Sequence, residues 1–134
     1  MGFKEAVLDL ERKIDRFFKS NNVIIFGASS GGRQVMEILK FLNKRPTFFV
    51  DNDQNKWGME IDGIKVMSPE ELKRLNPDII VIGSTIYESE MIEQVERYGL
   101  GDKVVVRDFL EILVVIKALV RIFRSFEKHA FESE

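Results

Sequence analysis

Small residues that could cradle a phosphate follow a short apolar run near the start of the chain. The run Val23–Phe26 leads into Gly27-Ala28-Ser29-Ser30-Gly31-Gly32-Arg33, after which apolar residues recur at helical spacing. This order predicts a strand, a tight turn and a helix whose first amides are free to bind an anion. Gly27 and Gly32 match the first and third glycines of the dinucleotide-binding fingerprint, whereas Ser29 stands at the middle position. The pattern predicts a nucleotide-type ligand at this turn.

Two further polar loops follow apolar runs and are expected at the same edge of a sheet. Asp51-Asn52-Asp53 closes the second run, and Gly83-Ser84-Thr85 closes a later one. Asp51 comes 24 residues after Gly27, about where a dinucleotide-binding unit places the carboxylate for a ribose hydroxyl. The alternative is that Asp51 and Asp53 only start a turn. The serines and Thr85 either bind phosphate or ribose, or satisfy backbone groups of their loops.

Arg33 completes the predicted site, because a guanidinium in the first helical turn could clamp a phosphate. Its alternative is an exposed helical residue. The predicted cofactor-binding residues are Gly27, Ala28, Ser29, Ser30, Gly31, Gly32, Arg33, Asp51, Asn52, Asp53, Gly83, Ser84 and Thr85.

No catalytic or metal-binding residue is predicted. His129 is the sole histidine and the chain has no cysteine, so ligand sets built on these residues are excluded. Asp51 and Asp53 would point to opposite sides of an extended segment, which makes them a poor acid-base pair.

The elements that must position these loops alternate between strand and helix. Apolar runs predict strands over 23–26, 47–50, 79–82 and 104–106, a short edge strand over 64–66, and irregular turns over 54–63. Amphipathic patterns predict helices between them. The alternation predicts an α/β fold, a three-layer Rossmann-like parallel sheet with helices on both faces. For 134 residues we expect a single domain, 1–134, with a core of about 22–107 and extra terminal helices over 3–19 and 109–130.

The closing helix carries more apolar residues than packing on a sheet requires. The set expected to cover the sheet is Phe109, Leu113, Ile116, Val120 and Phe123. A second stripe is left over, formed by Val115, Leu119, Ile122 and Phe126. An exposed patch of that size predicts a homodimer through 109–126.

The N-terminal helix offers a rival cover for that patch, through Phe17 and Phe18. Its own apolar face is expected to pack on the sheet edge or on a partner, and comprises Phe3, Val7, Leu10, Ile14, Phe17 and Phe18.

Composition excludes several classes of partner. The net charge is −2 with both signs interspersed, so no nucleic-acid-binding stripe is predicted. The start of the chain is charged and amphipathic rather than a signal peptide. No apolar run reaches the roughly 20 residues of a transmembrane helix. Together with the absence of cysteine, these features lead us to expect a cytoplasmic protein.

Five segments together resemble a module of nucleotide-sugar biology. They are Phe26 to Arg33, Phe49 to Asp53, Gly58, Gly63 to Val66, and Pro77 to Ile82. Together these segments are similar to the amino-terminal CoA-binding-like domain of membrane-associated sugar epimerases and dehydratases. They are also similar to modules attached to sugar acyltransferases and methyltransferases. The resemblance implies a Rossmann-type fold, a ligand such as NAD(P), a nucleotide-sugar or CoA, and catalytic parts that lie in other domains.

The turn also resembles the opening of short-chain dehydrogenases, which need a tyrosine and a lysine four residues apart. Tyr87 is followed by Met91, and Tyr98 by Asp102, so the pair is absent. We therefore expect a non-catalytic nucleotide-binding module related to nucleotide-sugar or polysaccharide metabolism. The alternative is a small NAD(P)-dependent oxidoreductase, or a sugar epimerase or dehydratase component, completed by a partner subunit. A third interpretation is that the pocket is vestigial, because Ser29 stands where the fingerprint has its middle glycine.

Overall fold

The chain forms one mixed sheet covered by helices on both faces. The computed structural model describes residues 1–132, so the last two residues of the predicted domain lie outside the described residues. The helices are α1 (Phe3–Lys19), α2 (Ser30–Phe41), α3 (Leu72–Leu75), α4 (Glu88–Arg97) and α5 (Arg107–Glu132). The strands are β1 (Val23–Phe26), β2 (Phe48–Val50), β3 (Glu60–Ile61), β4 (Ile64–Met67), β5 (Ile79–Ile82) and β6 (Val104–Val105). The predicted α/β, Rossmann-like architecture is confirmed.

The strand order places a crevice beside β1. The sheet runs β3-β4-β2-β1-β5-β6, and every pairing except β3 with β4 is parallel. The chain moves outward from β1 through β2 and β4, then returns to the other side of β1 as β5. Loops that leave β1 and β5 therefore diverge at the carboxyl ends of the strands, where open sheets of this kind bind ligands.

Two apolar layers hold the helices against the sheet. Ile25 and Val81 belong to a buried cluster shared with α1, α2 and α5, whereas Ile24 and Ile80 belong to a second cluster shared with α3 and α4. All four residues of both β1 and β5 are buried. Covering both faces explains why these strands read as continuous apolar runs rather than alternating ones.

The prediction of an edge strand over 64–66, preceded by irregular turns over 54–63, is wrong in detail. β3 pairs antiparallel with β4, with Ile61 opposite Ile64. Asp62 (φ 50°) and Gly63 (φ 79°) connect them, as the Asp-Gly pair of a tight hairpin turn commonly does. β4 is consequently an interior strand and β3 is the edge. The Asp-Gly pair was the available sequence signal.

The closing helix packs over a shorter length than expected. Leu110 and Leu113 are buried, and Lys117 donates a hydrogen bond to the Phe41 carbonyl at the end of α2. α2 has 12 residues and α5 has 26, so the second half of α5 runs past the end of its partner. The expectation that Ile116, Val120 and Phe123 cover the sheet is wrong, since all three are exposed.

α1 does not cover the remaining apolar stripe of α5. Ile122 is 64% exposed and Phe126 is 71% exposed, which removes the rival explanation for the surplus surface. Within α1, Phe17 is buried and makes an edge-on ring contact with Phe109. Phe3 is 87% exposed, so the predicted packing of the α1 face on the sheet holds only at its C-terminal end.

Candidate functional site

A cleft of about 670 Å³ lies at the carboxyl ends of β1, β2 and β5. This volume falls within the range usual for small-molecule sites. Of the predicted residues, those that line it are Gly27, Ser29, Ser30, Gly31, Gly32, Asp51, Asn52, Asp53, Gly83, Ser84 and Thr85. Tyr87, Glu90, Met91 and Gln94, which lie in α4 or just before it, form another wall.

A smaller chamber of about 360 Å³ adjoins the cleft on the side of β3 and β4. Ser29, Ser30 and Lys56 line both spaces. The two predicted residues that are missing from the cleft, Ala28 and Arg33, line this chamber. The structure thus brings all the predicted residues to one connected region.

The glycines at the start of α2 are required by the packing of the chain itself. A Cβ built on Gly32 would lie 1.8 Å from the Gly27 carbonyl oxygen, and one on Gly31 would lie 2.0 Å from the Gly83 carbonyl oxygen. Gly27 has φ +112°, a conformation that favours glycine. These glycines allow the start of α2 to touch the loops after β1 and β5. They are therefore explained without a ligand.

Asp51 holds the glycine turn in place. The Ala28 N–H donates to Asp51 Oδ2 (2.8 Å), and the Asp53 N–H donates to Asp51 Oδ1 (2.8 Å). The Trp57 indole N–H donates to the Asp51 carbonyl (2.7 Å). The carboxylate predicted for a ribose hydroxyl is thus also a brace between the loops that follow β1 and β2.

The other polar residues of the β2 loop are engaged as well. Asp53 Oδ1 accepts from the Asn55 N–H (3.0 Å), which matches the turn-forming alternative. Asn52 and Gln94 exchange two amide hydrogen bonds (2.9 and 2.8 Å), and Gln94 also donates to the Tyr98 hydroxyl (3.1 Å). This pair ties the loop to α4 and fixes the width of the cleft.

Two cations at the cleft were missed by the sequence analysis. Lys56 Nζ donates to Ser29 Oγ (2.6 Å) and lies 3.8 Å from Asp51 Oδ2. Arg107, the first residue of α5, donates to Gln34 Oε1 (2.8 Å) and lines the cleft. No local pattern marks either residue, because the 3₁₀ turn Gln54–Lys56 and the packing of α5 beside α2 place them there.

The start of α2 presents positive potential to this region. Ser29 occupies the N-cap position but makes no capping hydrogen bond with its side chain, and its hydroxyl accepts from Lys56 instead. The first amides of a helix have no intrahelical acceptor, and the helix dipole adds about half a positive charge at this end. Ser30, Gly31 and Gly32 line the cleft, so an anion there would meet these amides.

The groups with shifted titration lie at the opposite end of the sheet. Backbone hydrogen bonds from Asn22 and Asn21 lower the pKa of Asp78, whose Oδ2 accepts both N–H groups at 2.8 and 2.9 Å. Burial lowers the pKa of Lys44, and the nearby Asp78 charge opposes that shift. These groups brace the segment that leads into β1 rather than the cleft.

The family described as C2185-like, N-terminal matches residues 19–106. Among solved structures, the chain is similar to a UDP-D-quinovosamine 4-dehydrogenase from Vibrio fischeri, with 26% identity over 64% of this chain and 75% of that one, and a TM-score of 0.51. It is also similar to RSP, a Rex-family repressor (18% identity, 94% and 71% coverage, TM-score 0.54), and to RSP in complex with β-NADH (18%, 92% and 71%, TM-score 0.53).

These comparisons agree on a Rossmann-like fold. No curated protein sequence matches the chain. Over residues 1–132, none of the helices combines the length and the apolar character needed to cross a membrane.

Proposed function

The chain belongs to the C2185-like N-terminal family, and we propose that it is a non-catalytic module that binds a nucleotide through its pyrophosphate. The observation that carries the proposal is the start of α2, which opens into the 670 Å³ cleft between Lys56 and Arg107. Helix N-termini of this kind bind phosphates because free amides and the helix dipole act together. The predicted site residues are proposed as the binding surface on the same grounds.

The two cations that line the cleft, Lys56 and Arg107, support a diphosphate. Lys56 is held by Ser29, and Arg107 is held by Gln34 and by an ion pair with Glu111 (3.3 Å), so both cations are oriented before a ligand arrives. The side chain of Arg107 is only 24% exposed, and partial burial strengthens its interaction with an anion. Hydroxyls of Ser30, Ser84 and Thr85 also line the cleft and add neutral hydrogen-bond donors.

The proposed ligands are nucleotide-sugars, NAD(P) and CoA-like nucleotides, and the proposed setting is nucleotide-sugar or polysaccharide metabolism. The 26% identity to a UDP-D-quinovosamine 4-dehydrogenase supports this setting. The Rex-family repressor shares only the fold with this chain, and its complex with β-NADH shows that the fold accommodates such a nucleotide in that protein.

A second candidate is an oxidoreductase or sugar-modifying component that is completed by a partner. Tyr87 and Glu90 line the cleft, and Tyr87 is 60% exposed, so groups able to transfer a proton are present there. We expect no turnover of nucleotide-sugars with NAD(P)⁺ by the purified chain, because the tyrosine–lysine pair of short-chain dehydrogenases is absent. Steady formation of reduced nicotinamide that a Tyr87→Phe change abolishes would favour this second candidate.

The decisive experiment identifies a ligand and then locates it. Purified protein is denatured and the released small molecules are measured by mass, after which candidate nucleotides are titrated calorimetrically. Ser30→Glu places a carboxylate in the first turn of α2, where it suits the helix dipole but repels a phosphate. Ser125→Glu makes the same change on the exposed surface of α5 and is the matched control.

We expect Ser30→Glu to weaken nucleotide binding at least about tenfold, the scale of one lost charge-assisted hydrogen bond. The control should bind like the wild type, and both variants should unfold at the wild-type urea midpoint. Equal affinity in all three proteins would place the ligand elsewhere. If no nucleotide is released and none binds, the pocket is vestigial and the proposal fails.

We propose further that two copies pair through α5. Among the residues whose burial is described, the large exposed apolar ones of that helix are Ile112, Val115, Ile116, Leu119, Val120, Ile122, Phe123 and Phe126. Val115, Leu119, Ile122 and Phe126 follow one another in steps of four, three and four, the spacing of a helix–helix seam. Eight half-exposed side chains offer roughly 800 Å², which is about what each partner contributes to a stable interface.

A further inference from the structure

We propose that the chamber beside the cleft binds a phosphate monoester carried on the ribose of the nucleotide. This chemistry is shared by NADP(H), with its 2′-phosphate, and by CoA, with its 3′-phosphate. The inference rests on the proposed nucleotide site. It specifies which nucleotides that site prefers.

The chamber has the position and the lining that such a group needs. It shares Ser29, Ser30 and Lys56 with the cleft, which places it next to a pyrophosphate bound at the start of α2. Met59, Ile61 and Val66 supply apolar surface, and Arg33 and Lys56 supply the two charges. An apolar pocket with a few charged groups is typical of a site that orients a ligand.

Arg33 and Lys56 can both donate further hydrogen bonds. Arg33 is exposed, and within the described residues no hydrogen bond or ion pair engages its side chain. Lys56 donates to Ser29 Oγ, which uses one of the three donors of an ammonium group. Its distance to Asp51 Oδ2 is 3.8 Å, longer than a charge-assisted hydrogen bond. A phosphate monoester carries about 1.5 to 2 negative charges near pH 7 and can accept from both cations.

Asp51 is the carboxylate beside Lys56, and its contacts favour the same conclusion. A carboxylate at the end of this strand binds the ribose hydroxyls of NAD in related sites, whereas an arginine accommodates the additional phosphate of NADP. Here each oxygen of Asp51 already accepts a backbone N–H, from Ala28 or from Asp53. Lys56 beside it offsets part of the negative charge that would otherwise repel a phosphate.

Two pairs of nucleotides that differ only in the monoester test the inference. NADPH is compared with NADH, and CoA with 3′-dephospho-CoA, by calorimetric titration of the full chain. The variants are Arg33→Gln and Lys56→Gln, and Lys73→Gln, an exposed change in α3, is the matched control. Urea unfolding of each protein checks that the fold is retained.

We expect the monoester to strengthen binding at least about tenfold in one of the two pairs, and the pair in which it does so identifies the source. Arg33→Gln and Lys56→Gln should each reduce that preference about tenfold, the effect of one charged hydrogen bond. Of the cleft and the chamber, Arg33 lines only the chamber, so Arg33→Gln should change the affinity for the nucleotide without the monoester much less. Lys56 also lines the cleft, so Lys56→Gln should weaken both members of a pair in addition to reducing the preference. The control should keep the preference.

Equal affinities within both pairs would overturn this inference and leave the proposed nucleotide site standing. A preference that survives in both variants would overturn the assignment of Arg33 and Lys56. If none of the four nucleotides binds, while a nucleotide-sugar does, the monoester chamber is wrong and the cleft remains. If no nucleotide binds at all, the proposed function fails with it.

Discussion

Replacing Gly32 by alanine separates two opposite expectations. Gly32 lies in the first turn of α2, where alanine would ordinarily raise helix stability by up to about 1 kcal/mol. In this fold a Cβ there would lie 1.8 Å from the oxygen and 2.8 Å from the carbonyl carbon of Gly27. Both obstacles are backbone atoms, so no side-chain rotation can relieve the overlap. The contact geometry therefore predicts destabilisation, the reverse of the helical preference.

The size of the loss follows from how far the chain must move. A carbon–oxygen contact of 1.8 Å is shorter than a van der Waals contact by more than 1 Å, so α2 must shift away from the turn after β1. Such a shift loosens Phe49, whose Cε1 would lie 3.5 Å from the same Cβ. Overpacking usually costs about 1–3 kcal/mol, and this site should fall at the upper end, at about 3 kcal/mol. That is a large part of the roughly 5–15 kcal/mol that stabilises a domain.

Urea unfolding followed by circular dichroism and by Trp57 fluorescence measures the effect. Gly58→Ala is the matched control, because Gly58 has φ +87° and open space around its Cβ position. The control should lose about 1–2 kcal/mol from backbone strain alone. A Gly32→Ala protein as stable as the wild type, or more stable, would show that α2 does not pack on the Gly27 carbonyl. The loop geometry on which the binding site rests would then be wrong.

Three other predictions concern separate parts of the molecule. Asp51→Ala should lower the free energy of unfolding by about 1–3 kcal/mol, because the Ala28 and Asp53 amides lose a charged acceptor; an unchanged urea midpoint would contradict the bracing role. The wild type should sediment as a dimer at micromolar concentration, whereas the Ile122→Asp variant should sediment as a folded monomer. Arg97→Asp, a change at an exposed residue, is the control, and a monomeric wild type would refute the α5 interface. The lowered pKa of Asp78 means that its carboxylate stabilises the fold above its unfolded pKa of about 3.9, and that this stability is lost as pH falls through the lower folded value. Asp78→Asn should therefore be less stable than the wild type by about 1 kcal/mol at pH 7, a value discounted for solvent exposure. This difference in stability should shrink as pH falls below about 4. A difference that does not change with pH would show that the charge of Asp78 does not stabilise the fold.

Much of the fold follows from local patterns. β1 and β5 are apolar in four consecutive residues, and the amphipathic repeats of α2 and α4 recur with helical spacing, so each element can be predicted from its own segment. The glycine turn after β1 and the polar ends of β2 and β5 then meet, because parallel strands place their carboxyl ends at one edge. These two facts suffice to predict where the cleft lies. The hairpin of β3 and β4 was also predictable, since Asp62-Gly63 marks it.

The chemistry around the cleft depends on contacts between distant segments. Lys56 reaches Ser29, and Arg107 reaches Gln34, and neither pair is visible in a local pattern. The engagement of Asp51 by the Ala28 amide likewise adds a bracing role to the carboxylate that was predicted to bind a ribose hydroxyl. Spacing shows that a carboxylate ends a strand, but only the assembled loops show which of its oxygens are already occupied.

The division of α5 into a packed half and an exposed half shows most clearly what the sequence could not supply. Its residues are apolar around most of the helix, so periodicity alone allows several faces to meet the core. Leu110 and Leu113 are buried, whereas Ile116, Val120 and Phe123 are exposed, because α2 ends at Phe41 while α5 continues. Helical character is local and can be read from residue types, but burial depends on the length and position of the neighbouring helix, which only the tertiary structure determines.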